Sequence, residues 1–285
     1  MRIYGVDFTC APCRRKPITV AAGKASGNSL AIEAIEKLET FAEFERFLSR
    51  PGTWIGGFDF PFSLPRELVR DLGWPQEWKD LVTYCAGIGR LEFRAALDAY
   101  RNSRPIGSKY AHRATDLPAG SSSPMKLVNP PVALMFHEGA RRIVAAGLHV
   151  PALSTGDASR IALEAYPGLL VRKQLGIRDS YKSDTPGEQT PSRRAARRLI
   201  VEALREGRPL GVAVKFSGGI ERTLLGDGSG DALDAVICAT QAHWAWMRRS
   251  RNFGLPAVLD PLEGWIVSAL ANHENTARPH FPALA

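Results

Sequence analysis

The chain has 285 residues, and its 37 Lys and Arg against 29 Asp and Glu give a formal net charge of +8 at pH 7. Hydrophobic residues make up 45% and charged residues 23%, which are globular proportions and exclude a disordered chain or a collagen-like repeat. The four Cys are too few and too scattered for a secreted disulfide framework. A chain of this length can bury one large core, so we expect a single domain over residues 1–285.

No apolar run approaches the roughly 18 residues that a membrane span needs. The N-terminal stretch MRIYGVDFTC has no apolar signal-peptide segment before its first acid. We therefore expect a cytoplasmic protein without a membrane partner. Arg supplies 28 of the 37 cations, and guanidinium groups match phosphate geometry, so a polyanionic partner is expected. A GC-rich genome that favours Arg codons would explain the same count equally well.

Short apolar segments open the chain in the pattern of β-strands. Residues 3–7 predict a buried strand that ends at Asp7, and residues 17–22 predict a second strand. The loop between them carries Pro and a basic cluster, so the two strands should form a hairpin. Residues 28–38 are ambiguous, because their apolar positions fit both a strand and a helix.

A helix and a further strand follow. Thr40 and Glu43 have the spacing of a capping box, in which two residues satisfy the first free amides of a helix. The apolar residues after Thr40 recur on one helical face, and a Pro-Gly pair ends the helix. Residues 54–61 then predict a buried strand that reaches an acid at Asp59.

The composition changes in the middle of the chain. Trp, Arg, Pro and Ser become frequent, and we predict a largely helical insertion over about residues 67–150. The core would then consist of about residues 1–66 and 151–285. Helical pieces within or beside the insertion are predicted near residues 65–72, 89–102 and 132–147.

The pattern of the core returns in the C-terminal part. Residues 160–167 predict a third strand that ends near Glu164. A helix begins at Pro191, and its apolar residues recur at the spacing of one face. That face comprises Ala196, Leu199, Ile200, Ala203 and Leu204, with Arg194, Arg197 and Arg198 mainly off it.

The last predicted elements complete an alternation of strands and helices. Residues 226–231 predict a mobile Gly-rich loop, and residues 231–249 predict a helix that follows it. Residues 263–267 fit either a short strand or a turn. Alternation of strands and helices is typical of an α/β layer, which is the fold class we expect.

Five acids stand where such a fold would bring them together. Asp7, Asp59 and Glu164 lie at or near the ends of predicted strands, and α/β sheets place their functional crevice outside the carboxyl ends of strands. Asp231 and Asp234 are spaced i and i+3 on a helix and share a face. A cluster of this kind repels itself unless cations neutralise it, and oxygen ligands suit Mg²⁺ or Mn²⁺.

Acids that bind two divalent ions are sufficient for the hydrolysis of a phosphodiester bond. Two divalent ions about 3.5–4 Å apart stabilise the attacking and leaving oxygens of a phosphodiester displacement. Each acid also has a structural explanation, since Asp59 can close a turn, Asp231 can complement a helix dipole and Glu164 can pair with an Arg. Asp7, Asp59 and Asp234 taken together favour the metal site.

These residues resemble a family of predicted nucleases in the ribonuclease H-like superfamily. The resemblance covers both ends of the chain and leaves the predicted insertion outside it. The matching motifs are Gly5-Val6-Asp7, Gly57-Phe58-Asp59-Phe60-Pro61 with Leu64-Pro65, Glu164-Ala165-Tyr166-Pro167, Asp231-Ala232-Leu233-Asp234-Ala235 and Glu263-Gly264-Trp265-Ile266. It implies a ribonuclease H-like mixed sheet flanked by helices, with the first strands antiparallel.

The resemblance also implies roles for the acids. In that superfamily one acid from the first strand, one from the fourth strand and one or two from the last helix bind the catalytic metals. Asp7, Asp59, Asp231 and Asp234 match these positions, and the last pair resembles the Holliday-junction resolvase branch. Asp59 departs from that branch, which uses Glu there, and Glu164 matches only the family's own strand motif.

Other polar residues are weaker candidates. Lys109, Arg113 and Arg142 lie in the predicted insertion and would grip substrate phosphates, although a solvated surface explains them equally well. Cys10 and Cys13 have CxxC spacing, but no second pair accompanies them to complete a zinc site. The Gly-rich loop before the last helix lacks the Lys of a phosphate-binding P-loop.

Three functional hypotheses remain open. The first is an Mg²⁺- or Mn²⁺-dependent nuclease, in which Asp7 bridges two metals, Asp59 and Asp234 each hold one side, and Asp231 or Glu164 completes the site. The second is an ATP-dependent phosphotransferase of the actin-like and sugar-kinase type, for which the segment after Asp7 offers no Gly-containing phosphate loop. The third is a non-catalytic binding module on the same scaffold.

Overall fold

The computed structural model describes residues 1–270 and contains one mixed sheet of seven strands. In chain order the strands are β1 (Arg2–Asp7), β2 (Ile18–Ser26), β3 (Ser29–Leu38), β4 (Trp54–Asp59), β5 (Leu148–His149), β6 (Asp157–Glu164) and β7 (Ala213–Lys215). Across the sheet their order is β5-β6-β4-β1-β2-β3-β7. β1, β2 and β3 are antiparallel neighbours, whereas β4 is parallel to β1 and β6 is parallel to β4.

Helices flank both faces of the sheet. The α-helices are α1 (Phe41–Leu48), α2 (Arg66–Asp71), α3 (Trp78–Gly87), α4 (Gly89–Ser103), α5 (Asp116–Ala119), α6 (Val132–Ala145), α7 (Pro191–Arg205), α8 (Gly218–Gly226) and α9 (Asp231–Met247). A π-helical turn covers Leu169–Gln174, and 3₁₀ turns cover Pro186–Glu188 and Arg249–Gly254. Within residues 1–270, no helix combines the length and apolar character needed to cross a membrane.

Most of the predicted elements form, because their local sequence patterns also suit their packing against neighbouring elements. The capping box of α1 is confirmed, since the Glu43 amide donates to the Thr40 hydroxyl and the Thr40 amide donates to the Glu43 carboxylate, at 3.2 and 3.1 Å. Of the ambiguous residues 28–38, residues 29–38 form a strand, because the ladder with β2 satisfies their backbone groups and Leu30 and Ile32 are buried on one face. Residues 263–267 form a turn region and not a strand.

The apolar face predicted for α7 is partly wrong. Leu199 is 55% exposed, whereas Arg197 is only 4% exposed. Arg197 is buried because its guanidinium donates to the backbone carbonyl of Tyr181 at 2.7 Å and to that of Leu225 at 3.1 Å. Residues 176–190 and the end of α8 therefore cover a face of α7 that its hydrophobic period predicted to be exposed to solvent.

The helices of the predicted insertion share their apolar core with the sheet. Leu68, Trp78, Phe93 and Phe136 belong to the same buried cluster as Phe58 of β4. The opposite face of the sheet is covered by α7, α8 and α9, which form a second buried cluster. The sheet thus lies between two helical layers, and its central strands β1 and β4 are the most enclosed.

Two glycines allow α9 to lie directly on the central strands. A Cβ added at Gly5 would lie 1.9 Å from the carbonyl oxygen of Ala235, and one added at Gly57 would lie 2.4 Å from the carbonyl oxygen of Cys238. Both obstacles are backbone atoms of α9, so no side-chain rotation relieves them. The glycines therefore set the distance between the strands and α9, the helix that carries Asp234.

We expect Gly5→Ala to destabilise the protein by at least about 1–3 kcal/mol, because overpacking against a backbone forces α9 away from β1. Urea unfolding measures this loss. Gly87→Ala is the matched control, since an added Cβ at that helical position would have no atom within 4 Å apart from its chain neighbours and its own helix backbone. Equal stability of the two variants would contradict the close packing of α9 on β1.

Candidate metal centre

Three carboxylates converge at one edge of the sheet. Asp7 ends β1 and Asp59 ends β4, and the two lie opposite each other in the parallel register of these strands. Asp234 lies in the first turn of α9. One carboxylate oxygen from each of these three acids lies within 4.8 Å of the others, which is a spacing that could hold a metal ion. The prediction that these acids lie at one edge of the sheet is thereby confirmed.

Asp231 lies beside this group but is held by a lysine. It is 8% exposed, and its Oδ1 accepts a hydrogen bond from Lys16 Nζ at 2.8 Å. The same ammonium group contacts Asp184 Oδ1 at 2.8 Å. Asp231 is not one of the three acids whose oxygens converge, yet its charge contributes to the field at Asp7.

Two residues that the sequence did not indicate contact Asp234. The Tyr181 hydroxyl donates to Asp234 Oδ1 at 2.5 Å, and the Lys182 ammonium contacts Asp234 Oδ2. Both residues come from the irregular segment between the π-helical turn and α7. No hydrophobic period marks that segment, so sequence reasoning had no signal that would place these side chains at the acids.

The electrostatics of the cluster favour a bound cation. Burial raises the pKa of Asp7 well above its usual value, and the charges of Asp231 and Asp234 raise it further. Burial, followed by the charge of Asp234, raises the pKa of Asp59 to about 7. The donor set consists of hard oxygen ligands that suit Mg²⁺ or Mn²⁺. The nearby Lys182 ammonium already shows that this position accepts positive charge.

Glu164 lies at the same edge but is occupied by an internal ion pair. Arg113 donates from Nη2 to Glu164 Oε1 at 2.6 Å and from Nη1 to Oε2 at 2.7 Å. The Phe62 amide also donates to Oε2, at 2.9 Å. Burial raises the pKa of Glu164, although Arg113 counteracts this. The geometry therefore matches the structural explanation of Glu164, in which an Arg partners it.

The three predicted phosphate-binding residues are not brought together. Arg113 is 2% exposed, and it also donates to Asp116 Oδ1 at 2.9 Å, so its guanidinium is engaged by two carboxylates. Arg142 is 7% exposed and bonds Glu138. Lys109 is exposed, and neither it nor Arg142 lines the cavity above the acids. Contact of Lys109 and Arg142 with substrate phosphates stays a prediction, and such a contact would lie outside this cavity.

A cavity of about 860 Å³ opens above the acids. Its lining includes Asp7, Asp59 and Asp231. It also includes five cations that sequence reasoning did not propose as site residues, namely Lys16, Lys126, Arg172, Arg178 and Lys182. The cavity therefore combines an acidic floor with basic side chains around it.

The CxxC pair and the Gly-rich loop are the remaining motifs of the sequence. Cys10 is 6% exposed while Cys13 is exposed, and both are free thiols. The Gly-rich loop leads into α9, where Asp227 Oδ2 accepts a hydrogen bond from the Ala232 amide at 2.9 Å. That bond satisfies a free amide at the start of α9, so the loop helps to position the helix that carries Asp234.

Comparison with protein-family models, with curated proteins and with solved structures found no match for this chain.

Proposed function

We propose that this protein is a divalent-metal-dependent nuclease that hydrolyses phosphodiester bonds in nucleic acid. The observation that carries the proposal is the convergence of Asp7, Asp59 and Asp234, whose carboxylate oxygens lie within 4.8 Å of one another. Asp7 and Asp234 are buried and Asp59 is partly buried, and three carboxylates this close together are strongly unfavourable without positive charge. Such sites are characteristic of metal-assisted catalysis.

The topology supports a ribonuclease H-like fold. Three antiparallel strands are followed by β4 and β6, which extend the sheet in parallel from β1. The acids come from the first strand, the fourth strand and the last long helix. This is the arrangement implied by the resemblance of the sequence to predicted nucleases of that superfamily.

Four residues would hold the metal ions. Asp7 would be shared between two ions, Asp59 and Asp234 would each hold one side, and Asp231 would complete the ligand set when Lys16 releases it. Bound Mg²⁺ or Mn²⁺ would supply Lewis-acid stabilisation of the phosphate charge and a more acidic water. Lys182 would keep a positive charge beside Asp234, where it offsets the repulsion within the cluster.

Calorimetric titration of Mn²⁺ tests the metal site directly. We expect binding to the wild-type protein and loss of binding in Asp7→Asn/Asp234→Asn. The control is Asp80→Asn/Asp98→Asn, which removes the same charge from α3 and α4 outside the cavity. Incubation with DNA and RNA in Mn²⁺ then tests hydrolysis.

The outcomes separate the three hypotheses. Mn²⁺ binding with cleavage that the double variant loses supports the nuclease. Thermal stabilisation by nucleotides with no binding of nucleic acid would favour the phosphotransferase. An absence of Mn²⁺ binding in the presence and absence of nucleic acid would contradict the nuclease and favour a binding module.

A further inference from the structure

The cavity above the acids has a charge layout that suits a polyanion. Asp7, Asp59 and Asp231 of the proposed metal site line it, whereas Asp234 lies buried beneath its surface. Lys126, Arg172 and Arg178 line it, and within residues 1–270 none of these three forms an ion pair with a carboxylate. If one substrate phosphate lay at the acids, these three cations would therefore be free to contact the phosphates on either side of it.

The acids are recessed beneath the surface of the protein. Asp7 is 8% exposed and Asp234 is fully buried. The cavity volume of about 860 Å³ lies within the range that encloses a molecule of drug size, which corresponds to a small number of nucleotides. The phosphates of a duplex lie on a rigid helical surface, so a duplex would have to open before one of its phosphodiesters reached these carboxylates.

Part of the cavity lining suits an unpaired base. Pro131, Met135, Tyr166 and Ile266 are among the lining residues and provide apolar and aromatic surface. The Arg172 guanidinium lies over the Tyr166 ring at 5.7 Å from its centroid, and its Nη2 also contacts the Tyr166 hydroxyl. Aromatic and guanidinium planes are the surfaces on which unpaired bases stack.

We infer that the cavity takes single-stranded nucleic acid, with Tyr166 facing a base and with Arg172, Arg178 and Lys126 holding the flanking phosphates. This inference rests on the proposed function, because it assigns the substrate class of the same site. It adds a preference for single strands over duplexes. The acid cluster alone gives no such preference, since metal-binding acids act on single strands and duplexes alike.

Fluorescence anisotropy with a labelled oligonucleotide of about 12 nucleotides, within the usual length range of single-strand sites, tests the inference. The probes are the single strand and the blunt duplex of the same sequence. Binding is measured with Ca²⁺ in place of Mn²⁺, because Ca²⁺ is also bound by oxygen ligands. Cleavage is measured separately in Mn²⁺. We expect the single strand to bind about tenfold more tightly than the duplex, as stacking of an unpaired base would give.

The double variant Arg172→Ala/Arg178→Ala tests the phosphate contacts. Single strands lose about 0.7 from the slope of log K against log salt for each phosphate contact removed, so the slope should become shallower by about 1.4. The control is Arg194→Ala/Arg198→Ala, which removes two exposed Arg of α7 that do not line the cavity. This control should keep the wild-type slope.

The results distinguish failure of this inference from failure of the proposed function. Cleavage or binding of the duplex at least as strong as that of the single strand overturns the inference and leaves a nuclease. An unchanged salt slope in Arg172→Ala/Arg178→Ala also overturns it. Binding of the single strand that needs these Arg residues, without cleavage of any nucleic acid in Mn²⁺, supports the single-strand site and contradicts the nuclease.

Discussion

Asp7→Asn is expected to abolish hydrolysis and to raise the thermal stability of the metal-free protein at pH 8. The loss of activity should reach about a thousandfold, because metal-assisted charge stabilisation contributes several kcal/mol and about 1.4 kcal/mol corresponds to tenfold in rate. The stability should rise because Asn has the same shape and lacks the charge that Asp231 and Asp234 repel.

The pH dependence of this gain follows from the raised pKa of Asp7. Burial, then the charges of Asp231 and Asp234, raise it above the value of about 3.9 that an unfolded chain has. The folded protein therefore binds a proton that the unfolded chain has released, so stability falls as pH rises above about 4. Asp7→Asn removes this loss, and its advantage over the wild type should shrink towards zero as pH falls to about 4.

Thermal melts in EDTA across this pH range and a cleavage assay in Mn²⁺ measure both effects on one preparation. Asp98→Asn is the control, because Asp98 pairs with Arg101 on the surface of α4 and has no part in the cluster. If Asp7 had only a structural role, Asp7→Asn would instead lower the thermal stability. Asp7→Asn with lower stability at pH 8 or with retained turnover would contradict the proposed role.

Arg113→Met is expected to lower the free energy of unfolding by about 3–5 kcal/mol, the loss typical when one partner of a buried ion pair is removed. Glu164 and Asp116 would remain buried without their cation, and these side chains are at most 4% exposed. Met keeps most of the volume of the apolar part of the Arg side chain, so the loss of stability measures the effect of removing the charge. Urea unfolding at neutral pH measures it.

Lys109→Met is the matched control for Arg113→Met. Both residues were predicted from sequence to bind substrate phosphates, but Lys109 is exposed and should change stability by no more than about 0.5 kcal/mol. Normal stability of Arg113→Met combined with weaker binding of nucleic acid would restore the predicted contact with substrate. Loss of stability would assign Arg113 and Glu164 to the support of the cavity wall.

Local patterns predicted the elements that carry the acids. The short apolar runs that end at Asp7 and Asp59 and the apolar helix after Asp234 were evident, because strands and helices that are buried on all sides are apolar along their whole length. The same reasoning left residues 28–38 undecided, and it placed Leu199 in the core and Arg197 outside it. These errors arose because burial depends on which segment covers a face.

The sequence by itself determined the mixed α/β class of the fold and a set of acids that contains the three whose oxygens converge. Strands that end in Asp7 and Asp59 and a final helix that begins with Asp231 and Asp234 place carboxylates at one sheet edge in almost any α/β arrangement. That conclusion needed only local periodicity and the rule that ligands bind at the carboxyl ends of strands.

Only the tertiary structure decided which charges meet. Arg113 is 51 positions from Glu164, and Lys182 is 52 positions from Asp234, so no local period connects either pair. The irregular segments that carry Arg113 and Lys182 are positioned by packing against the sheet edge. Their side chains decide that Glu164 is neutralised within the protein, whereas the group formed by Asp7, Asp59 and Asp234 remains short of positive charge, because one ammonium cannot balance three converging carboxylates.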